Sequence, residues 1–347
     1  MQIDFHHGTT YVLARWAGFP KEEAEIIAYA SQYVDNAVKS GVIHFSNGAK
    51  YERRSSAHKM IGIDNLCDVS NRQAWVLFHF LPGNQGHPAE YDGGLSFIEK
   101  LVCCPDSYVA RDMLKECIAE KRRPYALYRL GITLHVYADT WAHQGFAGIV
   151  NDINIAHLDV ESELAEVGSR LEPLRLGHGM ALTYPDQPWR SWQYTDHAGN
   201  TIPYNNTEKF LEAADAILRF LRRYRNNDVD DRESVLGLTP AQTELLQEKF
   251  TGWTSTHETE RHQAWLKSIL KGEFFLPGEM LTYSPSNESS WKAQALGTTS
   301  GWDAAEMRFA YSPDFLRSHW KMFHDALQAH VFYVLHELLP LYGICVA

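Results

Sequence analysis

The stretch "GITLHVYADTWAHQGF", residues 131–146, sets His135, Asp139 and His143 on a background of leucine, valine, alanine and aromatics. Residues four apart on an α-helix differ by about 40° net, so the three share a stripe roughly 80° wide and about 12 Å long. Neighbours stand at the spacing of the two histidines in a helical HExxH metal motif. The central carboxylate has two oxygens, and each can face a different cation with its own imidazole. Two-metal hydrolytic sites need centres about 3.5–4 Å apart, a separation that one bridging carboxylate supplies. A buried, unpaired Asp139 would cost several kcal/mol, and cations remove that cost. The bland alternative is a buried hydrogen-bond cluster or a wet cleft. Gly131, Ala138 and Ala142 keep this helix thin, so that neighbouring helices can bring further ligands close.

Other donors of the same kind lie along the chain. "DFHHGT" offers His6 and His7 just before a helix, "TYVLARWAGF". Asp35 falls on an apolar stripe with Ile27, Ala28 and Ser31, where an acid needs a partner. His79 sits inside "FHFLPG", with His58 in "SSAHKM" as a more polar alternative. Downstream, "HLDVE" gives His157 and Glu161 one turn apart, and "GHGMALTYPD" gives His178 and Asp186. A histidine–carboxylate set without sulfur suits zinc, manganese or iron. The five cysteines (Cys67, Cys103, Cys104, Cys117 and Cys345) form no CxxC and are odd in number. That fits a reducing compartment and no cysteine metal site.

The elements that must position these groups read as helices. "PKEEAEIIAYASQYVDNAVKSG" starts at Pro20 and stops at Gly41. "PDSYVARDMLKECIAEKRR", "PYALYRLGITLHVYADTWAHQGF" and "HLDVESELAEVGSRLEPL" follow. So does "TEKFLEAADAILRFLRRYRNN", with Thr207 as its cap. "TPAQTELLQEKFTGW", "TSTHETERHQAWLKSILKG" and a long terminal helix complete the set. Alternating strand patterns are scarce; "AWVLFHFLPG" is a short strand or a helix end. The expectation is an all-α chain forming one large helical domain over 1–347. Residues 1–190 would be the metal-binding core, with further helices and loops packed on it. Two long loops, 183–206 and 272–303, carry aromatics. Trp189, Trp192 and Tyr194 either hold the organic part of a substrate or simply close the domain.

The net charge of −11 disfavours phosphate backbones, and no specific nucleic-acid surface is evident. No apolar run approaches the length of a membrane span, and residues 1–16 lack the pattern of an export signal, so a cytoplasmic location is expected. The basic stretch "LRFLRRYR" (218–225) reads as a solvated face or an anionic contact. His324, His330 and His336 are spaced by six, which scatters them around the terminal helix. No Gly-rich phosphate loop, GxSxG or catalytic cysteine signature occurs.

The H-x3-D-x3-H helix, preceded by an early histidine and a helix-borne acid, resembles the zinc-dependent phospholipase C and single-strand nuclease superfamily over roughly residues 1–190. The resemblance implies an all-α fold, a cluster of two or three zinc ions at the foot of a cleft, and hydrolysis of a small phosphoester or phospholipid headgroup. By the same resemblance His6 or His7, Asp35, His79 (or His58), His135, Asp139 and His143 are metal ligands. The last pair is His157 with Glu161 by spacing, or His178 with Asp186 by context. Asp35 and Asp139 are the expected catalytic residues. That family uses an N-terminal tryptophan as a ligand, whereas this chain begins Met-Gln-Ile-Asp with no tryptophan before Trp16, which favours two ions. The alternatives are a metal-dependent amide hydrolase, or a non-enzymatic helical interaction protein with a vestigial metal site. Oxidative di-iron chemistry is disfavoured because the paired Glu-x-x-His pattern is missing.

Overall fold

A computed structural model describes residues 1–57, 72–91, 93–158, 175–228, 235–300 and 307–346. A π-helical turn, Asp4–Thr9, runs straight into α1 (Thr10–Trp16) and is followed by α2 (Lys21–Asn36). A hairpin of β1 (Gly41–Phe45) and β2 (Lys50–Arg53) comes next, then a second π-helical turn, Arg72–Val76. The chain continues through α3 (Phe97–Leu101), α4 (Tyr108–Ala119) and α5 (Ala126–Ala142). Three strands follow: β3 (His157–Leu158), β4 (Ser191–Thr195) and β5 (Thr201–Asn205). After them come α6 (Asn206–Asn226), α7 (Pro240–Gly252), α8 (Glu258–Lys271) and α9 (Trp291–Leu296). The last pieces are β6 (Arg308–Phe309) and α10 (His319–Tyr333), which passes into a π turn, Val334–Leu338.

The centre of the molecule is α5. Every residue in it except Leu127 is buried, including its polar ones. A helix enclosed on all sides shows no single apolar stripe. It packs against α2, α6 and α10, whose Ile27, Ala30, Phe210, Ile217, Phe323 and Leu327 are fully buried. Gly131 permits the closest approach. A Cβ there would lie 2.4 Å from Ile27 O and 2.7 Å from Ala30 Cβ, so any side chain would push α2 away. α2 ends at Asn36, not at Gly41. The chain leaves the helix at Ala37, and Gly41, at φ 99°, opens β1 instead.

The architecture is mixed and helix-rich, which overturns the all-α expectation. Two three-stranded sheets stand beside the helices, ordered β2-β1-β6 and β3-β4-β5. The first pairs β1 antiparallel to β2 and parallel to the distant β6. Its Asn47-Gly48 turn, with Gly48 at φ 89°, is a hairpin signal that sits in the sequence unused. In the second, β3 pairs with β4 from outside the supposed loop 183–206, while β4 and β5 lie inside it. There Trp192, Tyr194, Ile202 and Tyr204 alternate with exposed residues, and Tyr194 and Tyr204 join a satellite core with Phe80, Phe146 and Met180. The cap of α6 is Asn205, whose side chain accepts from Glu208 N, rather than Thr207. The arginines of 218–225 are turned to the chain itself: Arg219, Arg222 and Arg225 donate to Val235 O, Leu236 O and Ala17 O. Residues 159–174, read as helix, lie outside the described residues. Among the described residues no helix is long and apolar enough to cross a membrane.

Candidate metal centre

Five parts of the fold bring donors to one place. α5 presents His135 and Asp139 one turn apart, and His143 is the residue that ends it, its N–H bonded to Asp139 O at 2.9 Å. The last turn of α2, one turn beyond the Ile27–Ser31 stretch that meets Gly131, carries Asp35. Gln32 on the preceding turn donates to Asp35 Oδ2 at 3.2 Å and steadies it. The π turn Asp4–Thr9 carries His6. Its widened ring is tied by Thr9 and Thr10, whose hydroxyls donate to the carbonyls of Asp4 and Phe5. Single π turns are frequent at functional sites. His79 follows the second π turn. His178 and Asp186 sit on two short 3-10 turns separated by Leu182, a non-glycine residue held at φ 55° and ψ −134°. Such a conformation costs about 1–3 kcal/mol and persists only where surrounding contacts impose it.

Around one Asp139 oxygen the spacing is that of a coordination shell. His79 Nδ1 lies 3.3 Å and His135 Nε2 3.4 Å from Asp139 Oδ2, and the two nitrogens are 3.2 Å apart. Asp35 Oδ1 is 3.8 Å from His79 Nδ1 and 3.7 Å from His135 Nε2. Zinc bonds of about 2.0–2.1 Å give a tetrahedron whose edges are about 3.3–3.4 Å. His79, His135 and Asp139 have that edge length, and Asp35 approaches as the fourth corner. The other oxygen, Asp139 Oδ1, faces His6 Nε2 at 3.1 Å and the Met1 nitrogen at 2.5 Å. A second group forms alongside, with His143 Nε2 and His178 Nε2 at 3.5 and 3.7 Å from the two oxygens of Asp186. Among the described residues three donor triplets could hold a metal ion: His6–Asp35–His135, His79–His135–Asp139 and His143–His178–Asp186.

The hydrogen bonds behind the rings fix which nitrogen faces the carboxylates. His79 Nε2–H donates to Ser56 O at 3.1 Å, and His178 Nδ1–H donates to Leu182 O at 2.8 Å. His143 Nδ1–H likewise donates to His79 O at 2.6 Å. Burial lowers the pKa of His79, and it brings those of His6 and His178 down to about 4 despite the nearby acids, so these rings are neutral at pH 7. In His79 and His178 a lone pair therefore faces a carboxylate oxygen. Two acceptors face to face repel unless a cation lies between them. A backbone carbonyl behind a histidine is also the usual device that aims a ligating ring at a metal. His6 adds to the pattern: among the described residues neither ring nitrogen has a partner in hydrogen-bond geometry, although Nε2 lies 3.1 Å from Asp139 Oδ1, and His135 Nδ1 likewise has none.

The carboxylates are held ionised. Burial pushes Asp139 up, but His143, the Met1 amine and His135 outweigh it and leave its carboxyl well below the usual range. Asp186 is likewise lowered, the Met1 amine and His178 overcoming burial. The Met1 amine, disfavoured by burial but facing Asp139 and Asp186, is raised to about 11. One cation thus already stands among these acids.

A pocket of about 430 Å³ opens onto the cluster. Asp35, His79, Asp139, His143, His178 and Asp186 line it, together with the apolar Ile3, Trp75, Phe80, Leu176 and Leu182. Glu258, at the start of α8, is its remaining acid, and among the described residues no lysine or arginine lines it. Of the residues singled out by sequence, His6, Asp35, His79, His135, Asp139, His143, His178 and Asp186 converge here. His7 does not: its Nδ1 lies 2.9 Å from His262 Nε2, on the α8 side of the π turn. His157 is exposed on β3, paired with Thr195. His58 and Glu161 lie outside the described residues. Trp189 lies under the Arg261 guanidinium, and Trp192 donates to Asn206, so neither of these tryptophans, nor Tyr194, reaches the pocket. Sequence reasoning missed Met1, Gln32, Trp75, Leu176 and Glu258. Of these only Gln32, one turn before Asp35 on the same face, carried a usable signal.

Residues 1–338, which hold every side chain of this cluster, match the sequence profile described as "Family of unknown function (DUF6765)". The chain belongs to this family. No curated protein and no solved structure matches it. The shared DUF6765 profile thus spans the metal-ligand candidates and the helices that support them, but carries no reaction with it.

Proposed function

We propose that this chain is a metal-dependent hydrolase of phosphoesters, built on two or three zinc ions held by His6, Asp35, His79, His135, Asp139, His143, His178 and Asp186. Manganese or iron would suit the same donors. The observation that carries the reading is the set of neutral imidazole lone pairs facing carboxylate oxygens at 3.3 and 3.7 Å, an arrangement made for cations. Its order along the chain is also what the resemblance to zinc-dependent phospholipases C and single-strand nucleases implies.

Bound zinc would lower the pKa of a water towards 7 and draw charge from the phosphoryl oxygens. The residues do the rest. Asp139 is fully buried and structural to the cluster, while Asp35 has 31% of its side chain exposed and is the carboxylate placed to take a proton from solvent. No lysine or arginine among the described residues lines the pocket, so the bound ions, together with the Met1 amine, would answer the phosphate charge. Ile3, Trp75, Phe80 and Leu176 give an apolar wall to the organic group. The unbridged state of the described cysteines, Cys103, Cys104, Cys117 and Cys345, supports a cytoplasmic setting.

The test is elemental analysis of purified protein, paired with hydrolysis of a chromogenic phosphodiester. Two to three equivalents of zinc are expected, with turnover abolished by chelation and restored by zinc. Metal-replete protein that cleaves a chromogenic anilide but no phosphoester would replace this reading with amide hydrolysis. Protein that takes up no transition metal would leave a helical interaction protein.

A further inference from the structure

A cavity of about 410 Å³ lies between the first half of α2 and the segment 282–294, with His319, the first residue of α10, also in its wall. The α2 side follows helical spacing: Glu22, Glu25, Ile26 and Tyr29 share one face. None of the described residues lining the cavity is a lysine or arginine. Its deepest groups are Trp291, 6% exposed, and Tyr29, 8% exposed. The Trp291 ring stacks on Tyr29 at 3.9 Å and 23°, and lies nearly parallel to His319 at 5.2 Å and 15°. Both of its faces are thereby covered, and its edge is what meets the cavity. The Tyr29 hydroxyl is already used: it donates to Ser284 O at 2.6 Å and accepts from the Trp291 backbone N–H at 3.4 Å. The Trp291 indole N–H makes no hydrogen bond with any described residue, although a buried indole normally finds an acceptor. Burial lowers the pKa of His319, so the ring is neutral; its Nδ1 is engaged with Tyr128 OH at 2.7 Å, which leaves Nε2 as its other polar atom. Gln294 donates to Ser289 O at 3.2 Å and keeps its own carbonyl oxygen as an acceptor. Glu25 lies 3.6 Å from Lys21 Nζ, so part of the acid charge is answered within α2.

We infer that this cavity binds a neutral polyhydroxy ligand of the monosaccharide class. Each hydroxyl of such a ligand both donates and accepts, and the wall offers both kinds of partner: an indole N–H that only donates, and carboxylate and amide oxygens that accept. An anion meets two glutamates and no lysine or arginine here. An organic cation gains most from an open aromatic face, and the faces of Trp291 are taken by Tyr29 and His319. A wholly apolar ligand would leave the indole N–H and the carboxylates without partners, which is costly. The volume falls within the 300–1,000 Å³ or so of small-ligand sites, and Ile26 supplies an apolar contact for the C–H groups of a sugar ring. No residue lines both this cavity and the pocket at the metal centre, so the site does not depend on the metal chemistry proposed above.

The experiment is saturation-transfer NMR on the full chain with glucose, galactose, mannose and ribose in turn, at tens of millimolar. At least one of them should receive saturation from the protein. Trp291→Phe keeps the ring and removes the N–H, and Glu25→Ala removes an acceptor from a half-exposed position. Each should weaken binding roughly three- to tenfold, while Asp139→Asn, which reports any sugar held at the metal centre, leaves it unchanged. Circular dichroism checks that each variant is folded, and Glu25→Ala carries the test alone if Trp291→Phe is not. Wild-type protein that binds none of the four sugars overturns the proposal. So does binding that Trp291→Phe and Glu25→Ala both leave intact, and so does binding of spermidine by a protein that takes no sugar. Methyl glycosides of the sugar that binds distinguish two sources: retained binding marks the end of a glycan, and lost binding marks the free sugar.

Discussion

His6 and His7 are neighbours in sequence with opposite duties. His6 faces Asp139 Oδ1 and stacks on His135 with ring centroids 3.8 Å apart, whereas His7 pairs with His262. His6→Ala should therefore lower the bound metal while leaving a folded protein. His7→Ala should keep the metal but lower the melting temperature, because it leaves a buried His262 nitrogen unpaired at a cost of about 1–3 kcal/mol. Zinc content and thermal unfolding of the two variants, measured side by side, check this; a reversed pattern would show that the π turn faces the other way. Arg261 is the clamp behind both. It is 1% exposed and donates to Asp4 Oδ2 at 2.6 Å, fixing the turn on α8. Arg261→Met should strand a buried carboxylate and cost roughly 3–5 kcal/mol, read by denaturant unfolding. Histidines also set the acid limit. Burial brings His262 down to about 4, and burial with Arg53 nearby brings His324 to about 3, from an ordinary 6.5. Lowered folded values mean that the unfolded chain binds the extra protons. Stability is then full above about pH 6.5 and falls as pH drops from there towards 3. Melting temperatures between pH 7 and 4 should fall steadily, and His324→Asn should flatten that slope.

Helix α5 shows what can be read from a pattern. The four-residue spacing of His135, Asp139 and His143 was enough to place them together, because nothing interrupts the helix between the first two. The third differs: His143 ends the helix, and its Nε2 turns to Asp186 at 3.5 Å while its Nδ1 stays 3.6 Å from Asp139 Oδ2. Asp35 was legible as an acid on an apolar stripe, and His79 as a histidine in an apolar run. The choice of His6 over His7 was not, since a π turn shifts the phase on which helical spacing relies. Nor were the sheets. β1 pairs with β6 across more than two-thirds of the chain, and the β4–β5 hairpin lay hidden in a segment judged by its turn residues. Gly131 carries the most direct test among the elements. Gly131→Ala would set a methyl against Ile27 O and Ala30, forcing α2 and Asp35 outward. A loss of about 1–3 kcal/mol in unfolding free energy is expected, along with reduced metal occupancy. An alanine variant as stable and as metal-rich as the wild type would mean that the two helices do not meet as described.

The molecule as a whole encloses its acids rather than displaying them. A single contiguous core surrounds α5, and Asp139 lies at its centre with 1% exposure, beside Asp186 at 7%. A protein stabilises such charges only by surrounding them with opposite ones. Here burial keeps His6, His79 and His178 neutral, no lysine or arginine among the described residues lines the pocket, and the Met1 amine faces Asp139 and Asp186, so the metal ions proposed above would supply the remaining positive charge. The family profile runs through residues 1–338 and so covers the candidate ligands, from the first turn to Asp186, and their supports as far as α10. Bound ions would explain together the spacing around Asp139, the fixed ring tautomers and the nitrogens of His6 and His135 that lack hydrogen-bond geometry among the described residues. Anomalous scattering recorded above and below the zinc edge, on crystals of protein purified without chelator, tests it most directly. The account predicts a peak within about 2.2 Å of His79 Nδ1, His135 Nε2 and Asp139 Oδ2 together, with a second beside Asp186. An empty centre, with Asp139 paired only to protein groups, would contradict it.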